Sequence, residues 1–249
     1  MMQYPSFVYL QNHKTGCSFV EAYLRRFCAE PLLDYKKHAA LRELPKVFCF
    51  ANVREPLDLY RSLYAYGLDG RGRVFQSLKL AGMQNLYAEG AAGFADWLAF
   101  VLEPWNAPFL DPAYTPDMAR FMGLATWRFL RLACPGFQAL APTLSGLDAL
   151  QSRVAPLYAL GAVLKQEQLR EGLATLTRTR LAHCIPDQEG AIEWLAQADR
   201  VNTSMAVVDG GEVPLSLRAL VFAKDALIYR NFYPSIEGHG LPQEAGVSS

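Results

Sequence analysis

The chain has 249 residues, 51% of them hydrophobic and 19% charged, a balance that excludes a disordered tail and supplies a sizeable buried core. Lys+Arg and Asp+Glu both number 24, so no overall charge draws the protein to nucleic acid or to an anionic membrane. No apolar run reaches the roughly 18 residues of a membrane span, and no leader-like pattern of charge followed by an apolar stretch occurs, so a cytoplasmic protein without a membrane span is expected.

In chain order, residues 6–10 read as a short buried strand that runs into a loop holding Lys14 and Gly16, then into a helix over 17–28. A strand that enters a helix through a glycine-containing loop makes an anion cradle. Backbone N–H groups and the positive end of the helix dipole point to one place. Lys14 adds a mobile positive charge, and Thr15 and Ser18 add hydroxyl donors. The nucleotide P-loop pattern G-x-x-x-x-G-K-[ST] is absent: no Gly-Lys pair occurs, and here the lysine precedes the glycine.

A linker with a short helix over 39–44 follows, then a strand over 47–52 and a helix over 57–66. Pro56 suits the first helical turn, where its missing N–H costs nothing. Arg54 closes the strand, and Ser62 stands two turns into the helix. In an open parallel sheet, ligands bind beyond the carboxyl ends of the strands, so the Lys14 loop and Arg54 are expected to face one crevice. Two anion-binding clusters there imply a ligand with two separated phosphate groups. The charge distribution agrees, since residues 1–79 hold 12 Lys+Arg against 7 Asp+Glu, although solvated helix faces would cluster charge equally well.

Residues 67–150 are rich in Gly, Ala, Pro and aromatics, with helical patterns over 94–102 and 116–132 separated by Pro104, Pro108, Pro112 and Pro116. They read as a mostly helical insertion that builds an acceptor pocket, with Trp97, Phe100, Trp127 and Phe129 chiefly packing a core. A third strand over 158–164, helices over 165–176 and 191–199, a loop at 202–204, a final helix over 215–232 and a flexible tail at 235–249 complete the chain. The expected fold is a single α/β domain with a central parallel sheet flanked by helices. Five cysteines (17, 28, 49, 134, 184) form an odd set with no C-x-x-C and no metal-ligand spacing, which fits a reducing compartment. Cys28 and Cys49 read as small core residues. Cys17, at a helix N-terminus where a thiol pKa tends to fall, reads as a spacer rather than a nucleophile.

Two segments together carry a resemblance. Lys14-Thr15-Gly16-Cys17-Ser18 after the first strand, and Val53-Arg54-Glu55-Pro56 with Ser62 eight residues beyond the arginine, resemble the nucleotide motifs of sulfotransferases that use 3′-phosphoadenosine-5′-phosphosulfate (PAPS). The resemblance covers residues 6–66 and returns near the C-terminus, where Val201-Asn202-Thr203-Ser204 and residues 225–233 are similar to that family's closing loop and last helix. It implies a P-loop-NTPase-like fold and PAPS as cosubstrate with no metal. It also implies a 5′-phosphosulfate loop of Lys14, Thr15, Gly16, Cys17 and Ser18, and a 3′-phosphate site of Arg54 and Ser62. One departure stands out: many members carry a second arginine five residues after the first, and here that residue is Leu59. Arg61 would face another side of the helix.

Sulfuryl transfer requires that both partners be positioned, that charge on the leaving oxygen be neutralised, and that the incoming hydroxyl lose its proton. Lys14 suits the leaving side. His38 lies between the two motifs, where the resemblance places a Glu or His base, as in carbohydrate-modifying members. An imidazole pKa near ~6.5 suits that task. Glu43, one turn further along the expected helix, is the alternative base. His13 reads as shaping the loop, and Lys36 and Lys37 as solubilising the linker rather than guiding an acidic acceptor. The acceptor would be a hydroxyl of a carbohydrate or small molecule. A P-loop kinase or related nucleotide phosphotransferase on the same fold is one alternative, but it would need Mg²⁺ ligands and a Gly-Lys-Ser/Thr turn. A non-catalytic nucleotide-binding module is another.

Overall fold

The computed structural model describes residues 1–88, 90–154, 160–199 and 213–239. The chain forms two compact units, one of Met1–Arg54 and Trp127–Met205, the other of Glu55–Thr126 and Ala206–Ser249.

The first unit holds a five-stranded sheet of β1 (Met2–Gln3), β2 (Phe7–Leu10), β3 (Asp34–Tyr35), β4 (Phe48–Val53) and β5 (Ala162–Lys165), in the order β3-β1-β2-β4-β5. β2, β4 and β5 are parallel, with Phe7 opposite Phe48 and Leu10 opposite Ala51, while β1 pairs antiparallel with both β2 and β3. The sequences Phe-Val-Tyr-Leu and Phe-Cys-Phe-Ala-Asn-Val are buried almost throughout, as central parallel strands are. The strands expected over 6–10 and 47–52 are therefore present, each displaced by no more than a residue. β5 starts at Ala162; positions 158 and 159 of the expected third strand lie outside the described residues.

The α-helices among the described residues begin with α1 (Cys17–Phe27), α2 (Pro56–Leu68), α3 (Arg73–Leu80), α4 (Gly90–Leu102), α5 (Ala107–Leu110) and α6 (Pro116–Ala119). They continue with α7 (Leu124–Ala133), α8 (Phe137–Leu140), α9 (Leu147–Val154), α10 (Leu169–Arg178), α11 (Gln188–Gln197), α12 (Leu215–Lys224) and α13 (Ala226–Phe232). In the first unit, Phe19, Val20, Tyr23 and Leu24 form one face of α1. They share a buried core with Phe7, Tyr9 and Phe50 of the sheet, Leu173 of α10 and Leu195 of α11. Tyr9 and Phe50 stack at 4.8 Å, and Trp194 lies 5.3 Å from Phe19. A wholly buried ring such as Phe50 stabilises this core by about 3–5 kcal/mol relative to alanine.

In the second unit, α2 carries Pro56 in its first turn and is capped by Glu55, whose carboxylate accepts the Asp58 amide at 2.7 Å. Tyr64 sits 5.4 Å from both Tyr87 and Trp97, forming an aromatic core with Phe94. Gly67 admits the Tyr87 ring against the helix backbone, where a Cβ would stand 2.0 Å from it. Trp97 in this unit, and Trp127 and Phe129 in the first, are buried core residues; Phe100 is half-buried.

The structure corrects several helix expectations. No helix forms over 39–44: the Ala39 amide closes a local turn on Lys36 O at 3.1 Å and the Leu41 amide donates to Leu132 O at 3.0 Å, so a turn and a tertiary partner replace helical bonds. The helix expected over 116–132 breaks between α6 and α7, where the Gly123 amide donates instead to Lys224 O at 2.8 Å. The final helix divides at Asp225, whose buried carboxylate accepts Tyr60 Oη at 3.1 Å and the Thr126 amide at 2.8 Å. A Cβ at Gly123 would lie 2.2 Å from that carboxylate, so the glycine gives Asp225 its space. The helix expected from 165 begins at Leu169, after a 3₁₀ turn over Gln166–Gln168. The tail's first residues belong to the 3₁₀ stretch Pro234–His239; the rest of it, and the loop expected at 202–204, lie outside the described residues.

Candidate functional site

β2 ends at Leu10, and residues 11–16 carry the chain over to α1. This loop is tied to the end of β4 by side-chain amides. Asn52 Nδ2 donates to Thr15 O at 3.1 Å, and Asn12 Nδ2 donates to Asn52 O at 3.2 Å. The Thr15 hydroxyl donates to Asn12 O at 3.0 Å, and all three residues are buried. Thr15 thus braces the loop with its side chain. Gly16 caps α1 at φ 82°, a left-handed conformation that glycine adopts without strain, and a Cβ there would meet Leu169 Cδ2 at 2.6 Å. Its carbonyl accepts the Phe19 and Val20 amides at 3.0 and 3.3 Å, which starts the helix. The Cys17 and Ser18 amides, in the first turn, have no acceptor within the helix and lie at the positive end of its dipole.

Among the described residues, Lys14 (φ 60°) and His38 (φ 58°) are the only non-glycine residues in the left-handed region. For side chains of this kind that conformation costs about 1–2 kcal/mol each and persists only where the surroundings impose it. Lys14 lies in the loop itself, and His38 reaches that loop through Gln11 and His13. His38 Nδ1–H donates to Gln11 O at 2.7 Å, and the His38 and His13 rings stack at 3.6 Å. A carbonyl can only accept, so this bond fixes the tautomer and leaves Nε2 with the lone pair. Burial lowers the His38 pKa below the ordinary imidazole value, as do the charges of Lys37, the Met1 amino group and Arg128; the Gln11 bond offsets part of this. The neutral imidazole is therefore favoured at neutral pH.

Positive charge gathers at the same place. Arg54, at the end of β4, directs Nη1 to Lys14 O at 3.5 Å, so the expected approach of Arg54 to the Lys14 loop is present within the first unit. Lys37 Nζ donates to Ser18 Oγ at 3.2 Å and lies 3.6 Å from Glu21. Glu21 also accepts Gln11 Nε2 at 2.8 Å and Arg25 Nε at 3.0 Å. Burial would raise its carboxyl, but hydrogen bonds from Tyr35 and Arg25 and the charge of Lys37 outweigh that and hold it below its usual range. Arg128 of α7 is buried within electrostatic reach of His38.

The other expected site residues fall as follows. Ser62 is half-buried on α2 of the second unit. Glu43 is exposed and, with no helix at 39–44, does not stand one turn beyond His38 on a shared helix; that placement is corrected. Burial pushes the Cys17 thiol up despite its helix N-terminus, which suits a spacer. Burial also raises Cys28 and Cys49, the latter to about 12. Among the described residues no group of three His, Cys, Asp or Glu side chains converges, and no helix is long and apolar enough to cross a membrane.

Sequence reasoning passed over Gln11, Asn12, Glu21, Asn52 and Arg128. The one signal available was a polar amide at the same end of two apolar strands, Asn12 after β2 and Asn52 in β4. No family model, no curated protein and no solved structure matches the chain. The site itself is therefore what bears on function. Its cationic donors around a helix N-terminus, with a neutral imidazole beside them, can hold an anionic group and take a proton.

Proposed function

We propose that the protein is a sulfotransferase that moves a sulfuryl group from PAPS to an acceptor hydroxyl, of a carbohydrate or a small molecule, with His38 as the base. The observation that carries this reading is the joint strain of Lys14 and His38, held in left-handed backbone on the same loop assembly. One would neutralise the leaving side and the other deprotonate the acceptor, and sparsely populated backbone of this kind gathers at functional sites.

The donor set fits the nucleotide by its chemistry. Lys14, the Ser18 hydroxyl and the first-turn amides of α1 would hold the 5′-phosphosulfate, and Arg54 the 3′-phosphate. The role that the sequence resemblance gives to Ser62 rests on the sequence alone. When bound, PAPS supplies the sulfuryl group, which passes to the acceptor oxygen as that hydroxyl loses its proton. His38 Nε2 would receive this proton, since Nδ1 is committed to Gln11 O. The Lys14 ammonium would offset negative charge growing on the phosphate oxygen left behind, at a site where a preorganised donor is worth about 10²–10³-fold in rate. Gly16 and the Asn12–Asn52 bonds keep the loop in place during that change.

The test is chromatographic detection of 3′-phosphoadenosine-5′-phosphate released from PAPS, with phenols, sugars and lipid headgroups as acceptors. Acceptor-dependent release that disappears in Lys14→Ala supports the reading. Release of ADP from ATP that demands Mg²⁺, with PAPS untouched, would overturn it in favour of phosphoryl transfer.

A further inference from the structure

We infer that Lys37 is a third cationic ligand of the loop and binds the 5′ end of the nucleotide beside Ser18. The inference rests on the PAPS reading and extends it to a residue whose position in the sequence suggests no more than a solubilising role. Lys37 Nζ reaches Ser18 Oγ at 3.2 Å, in the first turn of α1 where the 5′ anion would lie. An ammonium has three N–H donors, and its bond to Ser18 leaves two for an oxyanion and for Glu21.

Glu21 does not fully claim the lysine. Its contact at 3.6 Å is longer than those to Gln11 at 2.8 Å and Arg25 at 3.0 Å, so one carboxylate is shared between two cations and the cluster keeps an excess positive charge. The ion pair is also exposed, with 40% of the Lys37 side chain accessible, and exposed pairs add little to stability. Backbone bonds place the segment instead: the Lys36 amide donates to Met1 O at 3.1 Å, and Ala39 and Leu41 are anchored to Lys36 O and Leu132 O. Lys37 and the strained His38 thus arrive together, a cation and a base on one rigid turn.

The experiment is calorimetric titration of Lys37→Ala and Lys37→Arg with 3′-phosphoadenosine-5′-phosphate, adenosine 5′-monophosphate and adenosine 3′-monophosphate. Loss of one charged hydrogen bond predicts about tenfold weaker binding of the bisphosphate and the 5′-monophosphate by Lys37→Ala, with the 3′-monophosphate within about twofold of wild type. Lys37→Arg should recover most of the loss. Unchanged bisphosphate binding in Lys37→Ala, or equal losses for both monophosphates, would overturn the inference. If Arg54→Ala still weakened the bisphosphate in that case, the PAPS reading would stand without Lys37. A wild-type protein that binds none of the three nucleotides would remove both.

Discussion

In the second unit, the carboxylate of Asp225 is wholly buried, accepts Tyr60 Oη and the Thr126 amide, and Tyr60 Oη in turn accepts the Leu124 amide at 3.0 Å. Each of those bonds ends on another member of the cluster, and none of its residues is in left-handed backbone. In the first unit, Lys14, Lys37, His38 and Arg54 lie at the surface or half-buried and include both strained non-glycine residues among those described. A polar cluster that closes on itself reads as a structural fastener. One that spends backbone strain to hold cations and a neutral imidazole near a helix N-terminus reads as a site.

The contrast is sharpest at Lys14. Lys14→Ala should lower the transfer rate by about 10³-fold. Lys14→Gly should be equally inactive yet more stable than the alanine variant by about 1 kcal/mol, because glycine relieves the left-handed strain. Rates and denaturant unfolding of both variants check this; an alanine variant within tenfold of wild type would move the leaving-group role elsewhere.

Asp225 tests the other side. Burial raises its carboxyl to about 6 in the folded protein, so the folded state holds that proton more tightly than the unfolded chain does. Its contribution to stability is then present below its ordinary value of 3.8 and is lost as pH rises through about 6. Across that window the unfolding free energy of wild type should fall by about 3 kcal/mol relative to Asp225→Asn, measured by denaturant unfolding at each pH. Parallel curves for the two proteins would remove the titration from Asp225.

His38→Ala should reduce turnover by about 10²-fold while nucleotide binding persists. In wild type, kcat/KM should be flat at neutral pH and drop only below the ordinary imidazole value near ~6.5, because burial and the neighbouring charges disfavour the imidazolium. An acid limb above that value, or none, would argue against His38 as the base. The smallest effect concerns Cys17: burial pushes its thiol up, so iodoacetamide at neutral pH should label it more slowly than a cysteine in an unstructured peptide. Fast labelling would reveal a thiolate in the loop.

What the sequence disclosed follows the range of the forces involved. β2, the Gly16 turn, α1, β4 and the Pro56 start of α2 are specified by neighbours along the chain, through apolar runs, a glycine and a helix-starting proline, and all are visible in the sequence. β1 and β3 are two-residue strands, too short to show an alternating pattern, and β3 pairs with β1 across a long stretch of chain. The turn at 36–41 is held by Leu132, far away in sequence, and no period in residues 39–44 could signal it. The break at Asp225 depends on Gly123 making room for a carboxylate about a hundred positions along the chain from it. Within the site, Lys14, Gly16, Ser18 and Arg54 were legible from residue type and spacing, and His38 from the interval that the family resemblance marks for a base. Asn12, Asn52, Gln11 and Glu21, which hold them, act through partners that a linear pattern does not show.

The most direct test is calorimetric titration with 3′-phosphoadenosine-5′-phosphate, with ADP as the control and no Mg²⁺ present. Micromolar binding of the bisphosphate, binding of ADP at least about tenfold weaker, and loss of that preference in Arg54→Ala are the predicted results. Equal affinity for both nucleotides, or binding of the bisphosphate only when Mg²⁺ is added, would contradict the account.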